Sequence, residues 1–270
     1  VKLEEEENKS LLTVYCSNTG KDEILYNHKF ELKVYGKSGK GEGEFSSPMG
    51  ISSTPTGYVY IADKNNKRVV ILKNETGTLQ WVKEVQKFTS PVDVEIDGTG
   101  RMWVVDEGDS SVKVFNFNGD SLFQRISFIS PISIAVIGSW DRWSYYGEDF
   151  IVVIDKKGNR IQKLTLKGEM LRVFESSNLR FIDCAIDYYN NIWVIEECEN
   201  IIYKFDRNLK LITKVLPKNM SVPKRIAIWR RFGQVFVLEE EGINYYWVGV
   251  DGYIKGVYPS IFDPNKEGVT

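Results

Sequence analysis

Short apolar runs recur along the chain between polar turns, and they recur at a fixed spacing. Segments of the form Pro-x-x-hydrophobic stand at Pro48-Met49-Gly50-Ile51, Pro91-Val92-Asp93-Val94, Pro131-Ile132-Ser133-Ile134 and Pro223-Lys224-Arg225-Ile226, and Phe181-Ile182-Asp183-Cys184 fills the missing place without its proline. Downstream of each start lies an apolar run ending in a carboxylate: Val59 to Asp63, Trp103 to Asp106, Ile151 to Asp155, Trp193 to Glu196 and Val235 to Glu239. These carboxylates are 43, 49, 41 and 43 residues apart. The long interval has a local cause, an insertion from Gly138 to Tyr146 in the third unit. After each carboxylate come a polar turn, a third run such as Arg68 to Leu72 or Arg160 to Leu166, and then a Gly or Asn turn leading to a fourth. Asn118-Gly119 and Asp251-Gly252 are strong two-residue hairpin signals.

Four short antiparallel strands per repeat of about 43 residues are the pattern of a propeller blade, whose faces are buried only by stacking on neighbours. The expected fold is therefore all-β: a single-domain six-bladed β-propeller of four-stranded antiparallel blades. Full blades are expected over 45–87, 88–128, 129–177, 178–220 and 221–258. Leu11 to Cys16, Glu23 to Tyr26 and Phe30 to Tyr35 read as three strands of a further blade, with Cys16 standing 47 residues before Asp63. The charged, poorly patterned segment 1–10 is expected to be poorly ordered. Pro264 lies 41 residues after Pro223, so 264–270 is expected to join 11–36 as a strand and close the ring, removing the open sheet edges.

Composition narrows the function classes. With 35 basic and 37 acidic side chains the formal net charge is -2, which leaves no excess to draw the whole surface onto nucleic acid. Aromatic residues make up 13% of the chain, suiting pleated, half-buried surfaces. The cysteines Cys16, Cys184 and Cys198 show no metal-ligand spacing, and Cys184 and Cys198 fall out of register for a disulfide across their hairpin. No apolar run approaches the roughly 20 residues that span a bilayer, and the acidic start is unlike a signal peptide. The missing initiator Met makes a processed protein or a piece of a longer one the expectation, with an extracytoplasmic or envelope setting slightly favoured.

The first full unit, Gly36-Lys-Ser-Gly39-Lys-Gly41-Glu-Gly43-Glu-Phe45-Ser-Ser-Pro48-Met-Gly50-Ile51 followed by Val59-Tyr-Ile-Ala-Asp63-Lys-Asn-Asn66-Lys-Arg68-Val69, resembles the NHL-repeat propellers and related bacterial six-bladed, TolB-like propellers. The later units keep only the skeleton. The resemblance implies a fold and little about activity, because this fold hosts lyases, lactonases, RNA binders and protein-binding modules alike.

The strand-ending carboxylates suit a structural role, accepting bonds from turn amides, with Arg68 and Arg160 placed to pair with Asp63 and Asp155. Glycine-rich Gly36 to Gly43 lacks the strand-to-helix setting of a phosphate loop and reads as a flexible connection between blades. Two residues into each blade stand Gly50, Asp93, Ser133, Asp183, Arg225 and Lys266, where the innermost strand should enter the central channel. With Arg180 and Lys224 flanking, these side chains either hold a calcium ion or a small polar ligand at the channel mouth or pair with one another and plug it. Trp140, Trp143, Tyr145 and Tyr146 of the insertion are candidates for contact with a partner or a carbohydrate, or pack on their own blade. The sole histidine, His28, falls in an outer turn, whereas six-bladed lyases of the amidating or antibiotic-cleaving kind use several channel histidines. No nucleophile elbow, Walker loop or HExxH motif is present.

The leading expectation is a non-catalytic binding or scaffold module, without a cofactor, whose partner is another protein or domain or a small ligand. The alternatives are a calcium-dependent lactonase-like hydrolase built on Asp93, Asp183 and a third oxygen ligand, and an NHL-type RNA binder, which the neutral charge disfavours.

Overall fold

A strand whose two faces are both covered needs apolar side chains at successive positions, and the second strands of the repeat have them. A computed structural model describes residues 2–5, 12–29, 31–122, 126–138, 144–215, 222–230, 233–239, 242–248 and 254–258. In blade one the strands Pro48–Ser53, Tyr58–Asp63, Arg68–Glu75 and Thr78–Val85 pair antiparallel in chain order. Successive side chains leave opposite faces. Val59, Ile61, Val70 and Leu72 pack with Tyr15, Ile24 and Tyr26 from the N-terminal sheet, while Tyr60, Ala62, Val69 and Ile71 pack with Val94, Met102, Val104 and Phe115 from blade two. Burial of each such side chain is worth about 1.5–3 kcal/mol.

The same unit repeats four times more. Blade two is Pro91–Ile96, Met102–Asp106, Ser111–Phe115 and Ile126–Ser127; blade three is Pro131–Ile137, Phe150–Asp155, Arg160–Leu164 and Met170–Glu175. Blade four is Phe181–Ile186, Ile192–Glu196, Ile201–Phe205 and Leu211–Val215; blade five is Pro223–Trp229, Gln234–Glu239, Gly242–Val248 and Ile254–Tyr258. The chain packs as two units, Val1–Ser133 and Ile134–Thr270. In the first, two apolar layers flank blade one as above. In the second, Phe174 of blade three lies 5.9 Å from Phe181 and 4.9 Å from Phe205, both of blade four.

The expectation of six blades closed by the C-terminal strand is corrected. Five blades carry the repeat. The N-terminal sheet is also four-stranded, over Lys2–Glu5, Leu12–Asn18, Glu23–His28 and Glu31–Tyr35, but the place kept for 264–270 is taken by Lys2–Glu5. That segment pairs antiparallel with the next strand, Leu3 opposite Val14 and Glu5 opposite Leu12, so segment 1–10 contains a strand rather than a poorly ordered tail. Loop-closure entropy favours this local partner over one some 250 residues away by roughly 3 kcal/mol. Pro264 to Thr270, the expected closing strand, lie outside the described residues.

Gly36 to Gly43 is also more than a flexible connection. Lys37–Ser38 forms a short parallel ladder with Glu44–Phe45. The Glu44 carboxylate accepts the amides of Lys40 and Gly41 at 3.0 and 2.9 Å, and the buried Arg68 guanidinium donates to the carbonyls of Lys40 and Glu44, both at 2.8 Å. Arg68 thereby winds the glycine-rich segment onto blade one.

Candidate functional site at the starts of the first strands

In four of the blades the first strand starts opposite the carboxylate that ends the second: Pro48 faces Asp63, Pro91 faces Asp106, Phe181 faces Glu196 and Pro223 faces Glu239. These carboxylates are buried and they anchor the chain arriving at the strand. Asp106 accepts the amides of Thr89 and Ser90 at 2.8 and 2.7 Å and the Lys113 ammonium at 2.7 Å. Asp63 takes the Ser46 amide at 2.7 Å and Arg68 Nε at 2.8 Å, and Asp155 takes Arg160 Nη2 at 3.0 Å. At Glu196 burial pushes the pKa up, but the amides of Arg180, Glu199 and Cys198 outweigh it and hold the carboxyl below its ordinary value.

Directly after the anchor, the register slips in four of the first strands. The shifts fall between Pro48 and Ile51, Pro91 and Asp93, Phe181 and Asp183, and Pro223 and Arg225. Such a bulge places two residues of one strand against one of its neighbour and re-aims a side chain. The re-aimed positions are those singled out in the sequence: Gly50, Asp93, Asp183 and Arg225.

Within the first unit, Gly50 and Asp93 come together. A Cβ on Gly50 would lie only 2.5 Å from Asp93 Cα, and closer still to Asp93 Oδ1, so glycine is the residue that lets the two strands approach. Asp93 is half-buried, and its Oδ1 accepts the Val94 amide at 2.9 Å. One turn along, Ser52 Oγ donates to Glu95 Oε2 at 3.0 Å and accepts the Ile96 amide at 3.2 Å. Ser133 is buried on its strand.

Within the second unit, Asp183 and Arg225 occupy matching places on adjacent first strands. Asp183 is buried and its Oδ2 accepts the Ile226 amide at 2.7 Å. Arg225 is half-buried, with Nη1 on the Lys224 carbonyl at 2.8 Å, and Lys224 itself is exposed. Exposed Arg180 donates through Nε to Cys198 Sγ at 3.4 Å. At the far ends of the same strands is a contact that the repeat does not reveal: Arg230 donates to Ile186 O at 2.9 Å and to Val136 O at 3.0 Å. One guanidinium so ties the first strands of blades three, four and five.

Lys266, Trp140 and Trp143 lie outside the described residues. Tyr145 and Tyr146 are exposed on the insertion. His28 ends a strand of the N-terminal sheet and packs against Gly77. Cys16, Cys184 and Cys198 are free thiols, and among the described residues no three His, Cys, Asp or Glu side chains are grouped to hold a metal ion. No described helix is long and apolar enough to cross a membrane.

No protein-family profile matches the chain, and no curated protein does. Solved structures do. A streptogramin B lyase superposes with a TM-score of 0.64 at 18% identity, over 85% of this chain and 73% of the other. Virginiamycin B lyase from Staphylococcus aureus superposes equally well, with a TM-score of 0.64 at 16% identity. A catalytically inactive His-to-Ala variant with quinupristin matches over 84% of this chain and 74% of its own, and a selenomethionine-substituted form over 87% and 75%. The fold is a β-propeller. At this identity the likeness extends to architecture alone, and it does not distinguish the NHL or TolB-like types. The expectation that led with a non-catalytic scaffold is corrected to this extent: the three solved propellers named above are lyase structures and none is a scaffold.

Proposed function

We propose that this propeller is a lyase-like enzyme acting on a small polar molecule at the starts of its first strands. The observation that carries the reading is the pair formed by Asp183 and Arg225, a buried carboxylate and a half-buried guanidinium that equivalent bulges bring onto adjacent strands. The residue replaced in the inactive lyase variant is a histidine, and the only histidine of this chain is held against Gly77. Imidazole chemistry is thus replaced here by carboxylate chemistry. Asp183 takes a proton from the carbon beside a carbonyl, the released electron pair forms a double bond and expels the leaving group, and Arg225 balances the negative charge that develops on the carbonyl oxygen. Arg180 and Lys224, of the same unit, flank the pair and orient the substrate.

Incubation with a panel of cyclic esters and cyclic peptides, quinupristin among them, followed by mass spectrometry, tests this. Ring opening by elimination leaves the mass unchanged, whereas hydrolysis adds one water. The expected result is a linear product of unchanged mass that Asp183→Asn abolishes while lowering the thermal midpoint by no more than about 4 °C. Turnover of nothing in the panel, or equal turnover by Asp183→Asn, removes the proposal, and a product heavier by one water moves the assignment to the hydrolase alternative.

A further inference from the structure

The last residues of the blade-three insertion carry an aromatic surface at the other end of the strand from Asp183. They are stapled to the turn between the first two strands of blade four: the Tyr145 amide donates to Tyr188 O at 2.8 Å, and Ser144 Oγ bonds Asn190 Oδ1 at 3.0 Å. Four tyrosine rings meet there. Tyr145 lies 5.0 Å from Tyr146, 5.9 Å from Tyr188 and 5.6 Å from Tyr189, and Tyr188 lies 5.1 Å from Tyr189. Tyr145 is nonetheless 60% exposed, Tyr146 47% and Tyr189 40%. Two edge-on rings and one tilted ring contact Tyr145 while solvent reaches much of it. An exposed cluster of mutually packed aromatic rings is a surface suited to contact.

The polar groups beside the rings define what fits. Arg207 stacks on the Tyr146 ring at 4.0 Å from its centroid and donates to Glu148 Oε1 at 2.9 Å. Lys163 donates to Arg207 O at 2.7 Å and lies 3.8 Å from Glu148 Oε2. Both cations are therefore already engaged, which leaves little to attract a polyanion. Apolar ring faces, phenol hydroxyls and a planar guanidinium–carboxylate pair complement a molecule with one C–H face, a rim of hydroxyls and no net charge.

We propose that Tyr145, Tyr146, Tyr188 and Tyr189 form a binding site for neutral carbohydrate, with a sugar ring stacked on Tyr145 and its hydroxyls directed to Arg207 and Glu148. The site is independent of the proposed reaction at Asp183. An array of neutral cello-, chito-, malto- and galacto-oligosaccharides, followed by calorimetric titration of the best-retained one, tests it. The expected result is that Tyr145→Ala and Tyr189→Ala each weaken binding at least ten-fold, that Tyr145→Phe stays within about three-fold, and that Asp183→Asn changes nothing. Tyr189 lies outside the insertion, so its variant remains informative if Tyr145→Ala fails to fold. Retention of no neutral glycan, retention unchanged in both alanine variants, or binding of single-stranded RNA or an acidic glycan in place of neutral ones overturns the proposal.

Discussion

Asp183 Oδ2 accepts the backbone N–H of Ile226 at 2.7 Å, so a side chain of blade four completes the hydrogen bonding of blade five. The bulge beside Asp183 turns the carboxylate towards the neighbouring strand, and the bulge ending at Arg225 leaves the next amide to receive it.

The two substitutions at Asp183 should therefore part company. Asp183→Asn keeps an acceptor for Ile226 and should cost less than about 1 kcal/mol, whereas Asp183→Ala leaves a buried amide unpaired and should cost about 1–3 kcal/mol. Urea unfolding of both variants measures the difference. Equal stability would mean that the bond to Ile226 contributes nothing.

Arg68 is the most heavily used cation among the described residues of blade one. It pairs with Asp63 at 2.8 Å, bonds Glu84, holds the carbonyls of Lys40 and Glu44, and lies 5.2 Å from the Trp81 ring centroid. Arg68→Ala strands the buried Asp63 carboxylate and should lower stability by about 3–5 kcal/mol. Lysine lacks the fork needed to reach these partners together, so Arg68→Lys should recover only part of the loss. Proteolysis offers a second readout, since the 36–43 segment should become cleavable in either variant while it resists in the parent.

Gly50→Ala should be destabilising by about 1–3 kcal/mol, because the added methyl meets both the side chain and the backbone of Asp93. The clash with Asp93 Cα, at 2.5 Å, does not depend on what Asp93 carries. A second substitution, Asp93→Ala, should accordingly fail to restore the thermal midpoint. Full rescue would show that only the carboxylate was in the way.

Burial, with a smaller effect from Tyr58, pushes the Tyr60 phenol up to about 12. Above the ordinary phenol value of 10.0 the unfolded chain loses this proton while the folded chain keeps it, so the folded state binds more protons and stability falls as pH rises from 10 towards 12. Below pH 10 the group contributes no pH dependence. Tyr60→Phe should flatten that alkaline limb in chemical unfolding curves, and an unchanged limb would assign it elsewhere.

The blades were legible because their cause is local. Runs such as Val59 to Asp63, followed by a polar turn and Arg68, report strand, turn and strand through side-chain alternation and turn chemistry. The carboxylates at strand ends were legible for the same reason, as they meet amides and bases only a few residues away or one loop back. The first strand of the N-terminal sheet was misread because Lys2 to Glu5 carries almost no apolar pattern. Leu3 opposite Val14 is its one apolar pairing in register. Its placement follows from nearness to Leu12 rather than from composition.

The site was half legible. The sequence marked Asp93, Asp183 and Arg225 as equivalent positions, since equivalence is a matter of counting. It held no trace of the bulges, because a register slip depends on how two strands meet and not on either alone. Arg230 was invisible for a related reason: its acceptors, Ile186 O and Val136 O, are backbone atoms 44 and 94 residues away, and a carbonyl carries no side-chain signature. The tyrosine cluster divided in the same manner: Tyr145 and Tyr146 stand out on the insertion, whereas Tyr188 and Tyr189 join them only through the backbone bond from Tyr145 to Tyr188, which no sequence pattern announces.

By itself the amino-acid order determined the repeat, the strands within it, the anchoring carboxylates and the candidate positions at each blade's start, since all of these arise from interactions between residues close along the chain. Tertiary structure alone decided which strand partners Leu12–Asn18, which way Asp183 is turned, how Arg230 binds three blades together and which tyrosines share a surface. Those outcomes depend on contacts between distant segments, whose geometry is set only once the sheets have stacked.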